Sequence, residues 1–140
     1  AAVRMLVSAG SVSTLIPGVL NLTRVQNTGA AFGVGKGGSA FLIAFAVVAI
    51  IACCVIVWRG EFPILLAIPF GFVAGGGVGN MIDRLSAGSV TDFLSFGFVS
   101  FPVFNVADVC VTIGVVVGFV GWVVWDARRE GREGGDAEAA

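Results

Sequence analysis

The sequence predicts an all-α polytopic membrane protein that carries a small extracytoplasmic β-element. Of its 140 residues, 57% are hydrophobic and 12% are charged, and the charged fraction is about half that of an average soluble domain. The mean hydropathy is +1.01. Long apolar runs divide the chain, and each would span roughly 30 Å as a helix, which is the thickness of a bilayer's hydrocarbon core.

Three apolar runs are the visible transmembrane helices of this prediction. Lipid offers no hydrogen-bonding partner to the backbone, so runs of this length are expected to be helical even where β-branched residues are frequent. Their approximate bounds are Ala40–Trp58, Phe62–Met81 and Val106–Trp125. Small residues at four-residue spacing let helices approach closely. They occur here at Gly71, Gly75, Gly79, Gly114 and Gly118.

The remaining segments fit a single membrane domain over residues 1–140. Basic residues divide evenly between the two faces, but three arginines directly after the third run favour a cytoplasmic tail at 126–140. On the opposite face, imperfect alternation of apolar and polar residues predicts a short strand over Leu20–Gln26.

Composition excludes several classes of function. The chain has no histidine, which removes Ser-His-Asp and Cys-His catalysis and most zinc sites. Its three cysteines sit inside apolar runs, where a free thiol behaves as a small hydrophobic group. The net charge of −1 argues against nucleic-acid binding. We therefore expect no metal, no cofactor and no nucleic-acid partner, and we look to carboxylates for any acid–base chemistry.

Polar side chains gather where the runs meet the outer face. Asp108 is the most unusual, because it lies three residues into an otherwise apolar run, where an ionised carboxylate is costly. An alternative is that Asn105 caps the third helix and Asp108 is the acid three residues later in a capping box. The two interpretations are compatible. The other members of the group are Asn27, Asn80, Asp83, Arg84 and Asp92.

Asp92 and Asp108 together have a mechanism that neither has alone. Two partly desolvated carboxylates close to each other share a proton, so one acts as a base on water and the other as an acid on a leaving amide. Taken singly, Asp92 could be an ordinary solvated loop acid. Arg84 could hold a carbonyl group, or it could be an arginine that snorkels at a helix end.

Three other functions are compatible with parts of the pattern. A transporter or proton-relay protein could use Asp92 and Asp108 to line an ion path. A membrane-assembly protein could use the glycines for packing and the acids as caps. A Ser–Lys peptidase would depend on Lys36, which lies in a glycine-rich loop with nothing to desolvate it.

Four blocks of the sequence resemble the lipoprotein signal peptidase (signal peptidase II) family. They occur in the family's order and with its spacing, and they are spread over most of the stretch from Asn27 to Gly114. The blocks are NTGAAF at 27–32, GGVGNMIDR at 76–84, GSVTDF at 88–93 and FNVAD at 104–108.

The resemblance implies a bacterial plasma (inner) membrane enzyme with four transmembrane helices and an active site toward the extracytoplasmic face. It would be an aspartic endopeptidase that removes signal peptides from prolipoproteins before a diacylglyceryl-modified cysteine. Prolipoproteins and membrane lipid would be its partners. The matching positions imply that Asp92 and Asp108 are catalytic. They imply that the substrate is held and the site shaped by Asn27, Gly76, Asn80, Arg84 and Asn105.

One departure from the family concerns the N-terminus. The family's first helix ends in an Asp-x-x-Thr-Lys type motif, and nothing similar is present. Residues Ala1–Leu6 look like the stretch just after that motif. We therefore expect the sequence to be truncated before its first helix. The oligomeric state is not predicted.

Overall fold

A computed structural model describes residues 11–29 and 39–138, with residues 132–138 described by their backbone alone. The expectations for Ala1–Leu6, for Lys36 and for the end of the first block at 30–32 lie outside these ranges. Within them, three helices are long and apolar enough to cross a membrane, and one small sheet accompanies them. The predicted fold class is confirmed. The elements are β1 (Ser13–Ile16), β2 (Leu20–Asn27), α1 (Ser39–Arg59), α2 (Ile64–Ala87), β3 (Val90–Phe96) and α3 (Val106–Glu138).

The helices extend further than the apolar runs. Helix α2 begins two residues after Phe62 and continues six residues beyond Met81, so its last turns carry Asn80 and Arg84. It ends at Gly88, whose left-handed φ of 69° lets its N–H donate to the carbonyl of Arg84. Hydropathy marks where a helix leaves lipid, whereas backbone hydrogen bonding continues until a terminator such as this glycine.

Helix α3 is longer than a membrane crossing requires. It has 33 residues, or about 50 Å, and the part that is long and apolar enough to cross a membrane lies within Val106–Gly131. The predicted run, Val106–Trp125, accounts for its lipid-facing part, and the segment that follows continues the same helix to Glu138.

Helix α2 packs against both α1 and α3. A Cβ atom added to Gly114 of α3 would lie 2.6 Å from the carbonyl oxygen of Pro69, so these backbones are in close contact. Gly118 also faces Pro69, as the four-residue spacing predicts. At Gly71 and Gly75, a Cβ atom would meet nothing within 4 Å among the described residues, so the close contacts expected there are not found.

The sheet is antiparallel in the order β1-β2-β3. Strand β2 contains the predicted strand Leu20–Gln26, and it pairs along β3 from Leu20↔Phe96 to Asn27↔Val90. Phe104 forms an isolated antiparallel β-bridge with Leu94. Asn105 follows Phe104 directly, and α3 begins at the next residue. The sheet is therefore joined directly to the end of α2 and to the start of α3, and this connection forms the candidate site.

Candidate active site

Asp92 is held at the centre of the site by two amide side chains. It lies in β3, five residues after Ala87, the last residue of α2, and only 2% of its surface is exposed. The Nδ2 of Asn27, at the end of β2, donates to its Oδ2 at 2.9 Å. The Nδ2 of Asn105 donates to its Oδ1 at 2.8 Å. These two hydrogen bonds fix the orientation of the Asp92 carboxylate.

Burial raises the pKa of Asp92 above its ordinary value. The two amide hydrogen bonds from Asn27 and Asn105 lower the pKa, and so does the charge of Arg84, but the effect of burial is larger. The charge of Asp108 raises the pKa of Asp92 further. Asp92 consequently keeps its proton to a higher pH than an exposed aspartate does.

Asp108 is fixed at the first turn of α3. Its Oδ2 accepts the backbone N–H of Asn105 at 2.9 Å, while Oδ1 of Asn105 accepts the N–H groups of Ala107 at 2.7 Å and Asp108 at 3.2 Å. This reciprocal pair is the capping box considered from the sequence. Oδ1 of Asp108 has another partner, because it accepts Nδ2 of Asn80 at 2.8 Å.

Asn105 connects the two carboxylates. Its Nδ2 donates to Asp92 and also to Oδ1 of Asn80 at 3.0 Å, and its backbone N–H donates to Asp108. It is only 5% exposed. The structure thus brings Asp92, Asp108 and three asparagines into one hydrogen-bonded network. No group of three or more histidine, cysteine, aspartate or glutamate side chains placed to hold a metal ion occurs in the described ranges.

Arg84 binds backbone carbonyl groups. Its Nη2 donates to the carbonyl of Gly29 at 3.0 Å, and its Nη1 donates to that of Asn80 at 3.3 Å. The N–H of Gly29 in turn donates to Oδ1 of Asn27 at 2.9 Å. Of the two alternatives for Arg84, the structure shows carbonyl binding. The guanidinium ties the turn that carries Asn27 to the last turns of α2.

Gly76 lies at a close approach of α2 and α3, four residues before Asn80. A Cβ atom at this position would be 2.5 Å from the carbonyl oxygen of Ala107 and 2.7 Å from Cγ2 of Val111. The carbonyl oxygen belongs to the backbone of α3, and so does the nitrogen of Val111, which would be 3.2 Å away, so a methyl group fits only if the helix backbone shifts. Gly76 therefore allows α3 to place Asp108 beside Asn80.

Gly76→Ala is expected to destabilise the protein by roughly 1–3 kcal/mol, because the added methyl group overpacks the α2–α3 contact. Gly75→Ala is the matched control, since a methyl group there meets nothing within 4 Å among the described residues. Thermal unfolding in detergent should show a lower Tm for the first variant and an unchanged or higher Tm for the second. Equal Tm values for Gly76→Ala and wild type would contradict the packing role.

Other side chains hold the strands of the site, and their role was not assigned from the sequence. Oδ2 of Asp83 accepts the backbone N–H of Thr91 at 3.0 Å, and the hydroxyl of Ser89 donates to Oε1 of Gln26 at 2.8 Å. Asp83 had a signal, because it follows Asn80 by three residues and so shares its helix face. Gln26 lies in the predicted strand and Ser89 in the block at 88–93. Their contact with each other could not be predicted, because the pairing of β2 with β3 was not predicted.

Comparison with known proteins identifies the family. The family model described as Signal peptidase (SPase) II matches residues 2–124. The lipoprotein signal peptidase of Symbiobacterium thermophilum is 46% identical over 118 residues, which cover 81% of this chain and 77% of that protein. The lipoprotein signal peptidase of Enterococcus faecalis is 37% identical, with coverages of 91% and 81%. A solved bacterial membrane enzyme structure is similar with a TM-score of 0.82 at 28% identity, covering 86% of this chain and 76% of that one.

These similarities agree with the resemblance of the four blocks, all of which lie within the matched residues. Because the named relatives are peptidases, they do not favour the alternative of a transporter or proton-relay protein. The molecule is a multi-pass membrane protein, and the chain belongs to the signal peptidase II family of peptidases.

Proposed function

We propose that Asp92 and Asp108 are the catalytic pair of an aspartic endopeptidase that removes signal peptides from prolipoproteins, cutting before a lipid-modified cysteine. The observation that carries the proposal is the connection of the two carboxylates through Asn105, with Asp92 almost fully buried. The lipoprotein signal peptidases that the chain is similar to support the substrate class.

The chemistry follows from one proton shared by two carboxyl groups. The ionised carboxylate takes a proton from water, and the oxygen of that water forms a bond to the scissile carbonyl carbon. The protonated carboxyl group then gives its proton to the leaving nitrogen, and the C–N bond breaks. The products are a signal peptide with a new carboxylate and a lipoprotein with a new amino terminus at its modified cysteine.

The amide groups of the network prepare both carboxylates for this reaction. Asn27 and Asn105 orient Asp92, and Asn80 orients Asp108. An ionised carboxylate has about four acceptor sites, so each aspartate keeps capacity for a water molecule or a substrate N–H. Asn27 and Asn80 each use one amide donor and one acceptor site in the network, so they keep capacity to hold the peptide backbone of a substrate. The side chain of Asn105 uses both donors and both acceptor sites within the protein, so its role is to shape the site.

Arg84 and Gly76 act at one remove from the carboxylates. Arg84 fixes the position of Asn27 through the carbonyl of Gly29, and so it shapes one wall of the site. Gly76 fixes the distance between the helices that carry Asn80 and Asp108. Both are consistent with a site-shaping role.

We further propose that the site faces the extracytoplasmic side of the bacterial plasma membrane. Asp108 and the basic residues Arg128 and Arg129 lie about 20 residues apart on α3, or roughly 30 Å, which is one hydrocarbon thickness. The guanidinium of Arg129 lies 5.8 Å from the ring centroid of Trp125, a pairing typical of a membrane interface. Basic residues favour the cytoplasm, so the opposite end of α3, which carries Asp108, faces outward.

The experiment that tests the proposal is cleavage of a prolipoprotein by the membrane-embedded enzyme. Mass spectrometry identifies the new amino terminus, and isosteric Asp92→Asn and Asp108→Asn variants report on the two carboxylates. A wild-type enzyme that leaves the precursor intact would contradict the proposed activity.

The position of the pH–rate profile should depend on Asn27. Its amide hydrogen bond lowers the pKa of Asp92, so Asn27→Ala raises that pKa further. The pH dependence belongs to the coupled pair, so the profile of the cleavage rate is expected to move to higher pH whichever carboxyl group holds the proton. Thr28→Ala is the matched control, because Thr28 is an exposed neighbour of Asn27. A shift to lower pH in Asn27→Ala would be inconsistent with this role.

A further inference from the structure

An exposed apolar surface lies at the end of the sheet away from Asn27. We call it the apolar tip, and it combines the β1–β2 turn with the loop after β3. The two segments touch, since the N–H of Gly97 donates to the carbonyl of Val19 at 2.9 Å. Each side chain of the tip is between 46% and 68% exposed. They are Leu15, Ile16, Val19, Phe98, Val99 and Phe101.

The apolar tip is connected by aromatic contacts to the start of a membrane-spanning helix. Phe96 contacts Phe98, Phe101 and Phe104 with ring centroids 5.3, 5.7 and 5.1 Å apart. Phe104 lies two residues before Val106, the first residue of α3, and Val106 is itself 56% exposed. The apolar surface is thus connected through these rings to the exposed first residue of a helix that is long and apolar enough to cross a membrane.

The two segments of the tip also lack charge. Residues 11–23 and 93–107 contain no lysine, arginine, aspartate or glutamate. A surface loop in water normally exposes polar and charged groups, and a contiguous apolar patch marks a contact with a partner or a membrane. Exposed phenylalanine and aliphatic side chains beside the start of a transmembrane helix are typical of segments that lie in the boundary between headgroups and acyl chains.

We infer that the apolar tip inserts into the outer boundary of the bilayer and fixes the depth of the sheet. The connection to the site is direct. Asp92 lies on the same strand as Phe96, and Phe104 is the residue before Asn105, which bonds Asp92. This inference rests on the proposed function. The anchored sheet would hold the carboxylate pair at the depth where a membrane-held precursor presents its scissile bond.

Insertion is tested without any measurement of activity. Trp58, Trp122 and Trp125 are changed to phenylalanine, and Phe98→Trp is added as the single reporter in lipid vesicles. Its emission is expected to be quenched several-fold more strongly by lipids brominated near the glycerol end of the acyl chain than by aqueous iodide. Stronger quenching by iodide would show a tip in water and would overturn the inference, even if the enzyme cleaves prolipoprotein normally.

The effect on depth is tested with a charge placed on the tip. Phe98→Asp is expected to lower cleavage about tenfold in vesicles, since loss of one buried phenylalanine changes an equilibrium by at least that factor. In detergent micelles, which adapt to the protein, the rate should stay near that of wild type. Thr14→Asp is the control, because it adds the same charge to the same sheet at an exposed polar residue. Equal losses in both media would instead mean contact with substrate, and a changed oligomeric state would mean contact with a second copy; either outcome would overturn the inference.

Discussion

Asp92→Asn and Asp108→Asn are each expected to lower the rate of prolipoprotein cleavage by about 10³-fold or more, because removing either carboxyl group removes the base or the acid. Asparagine has nearly the same shape, but its Nδ2 replaces one acceptor oxygen, so at either position one of the two surrounding donors keeps its partner and the other loses it. The double variant should be little worse than either single variant, since residues that act as a unit give non-additive losses. Initial rates of precursor cleavage in membranes measure the effect.

Asp126→Asn is the matched control for this experiment. Asp126 lies on the same helix as Asp108 but is exposed at the far end, away from the network. Its variant should cut at the wild-type rate, and all variants are first checked for normal membrane insertion. If either catalytic variant inserts and still cuts at nearly the wild-type rate, the two-aspartate mechanism is wrong. The chain would still belong to the family, but the two aspartates would not be its catalytic pair.

Asn105→Ser should separate the two roles of Asn105. Serine is a good N-cap, so the start of α3 should be retained, but serine lacks the Nδ2 donor that bonds Asp92 and Asn80. We expect stability close to that of wild type and a cleavage rate lowered by about 10²-fold, because Asp92 loses its orientation toward Asp108.

Asn105→Ala completes the comparison. Alanine removes the cap as well as the amide, and a lost N-cap costs about 1 kcal/mol of stability. The Tm of Asn105→Ala should therefore fall below that of Asn105→Ser, while the two cleavage rates should be similarly low. A serine variant with full activity would mean that the amide bridge between the carboxylates is dispensable.

Much of the fold could be predicted because bilayers impose simple rules. Apolar length alone located the three helices, and the strand at Leu20–Gln26 carried visible alternation. Their ends could not be found this way, since α2 continues through Asn80 and Arg84 to the glycine that terminates it. Strand β1 has only four residues, and β3 shows no alternation, so neither gave a local signal.

The candidate site was predicted as a set of residues but not as a geometry. The blocks singled out Asp92, Asp108 and the asparagines, and the structure places all five in contact. The sequence could not say that one residue, Asn105, would both cap a helix and bridge the carboxylates. That arrangement depends on Leu94 pairing with Phe104, a tertiary contact with no signature in either segment.

The two carboxylates of the network lie on different elements, β3 and α3, and this affects when the site can form during synthesis. Asp92 precedes α3, whereas Asn105 caps that helix and Asp108 lies in its first turn. A chain still emerging from the ribosome, in which α3 has not yet been inserted, holds Asp92 without Asp108 and without Asn105. In the proposed mechanism such an intermediate cannot hydrolyse a peptide bond. By that mechanism, activity begins only when α3 has crossed the membrane, so membrane assembly itself delays the enzyme.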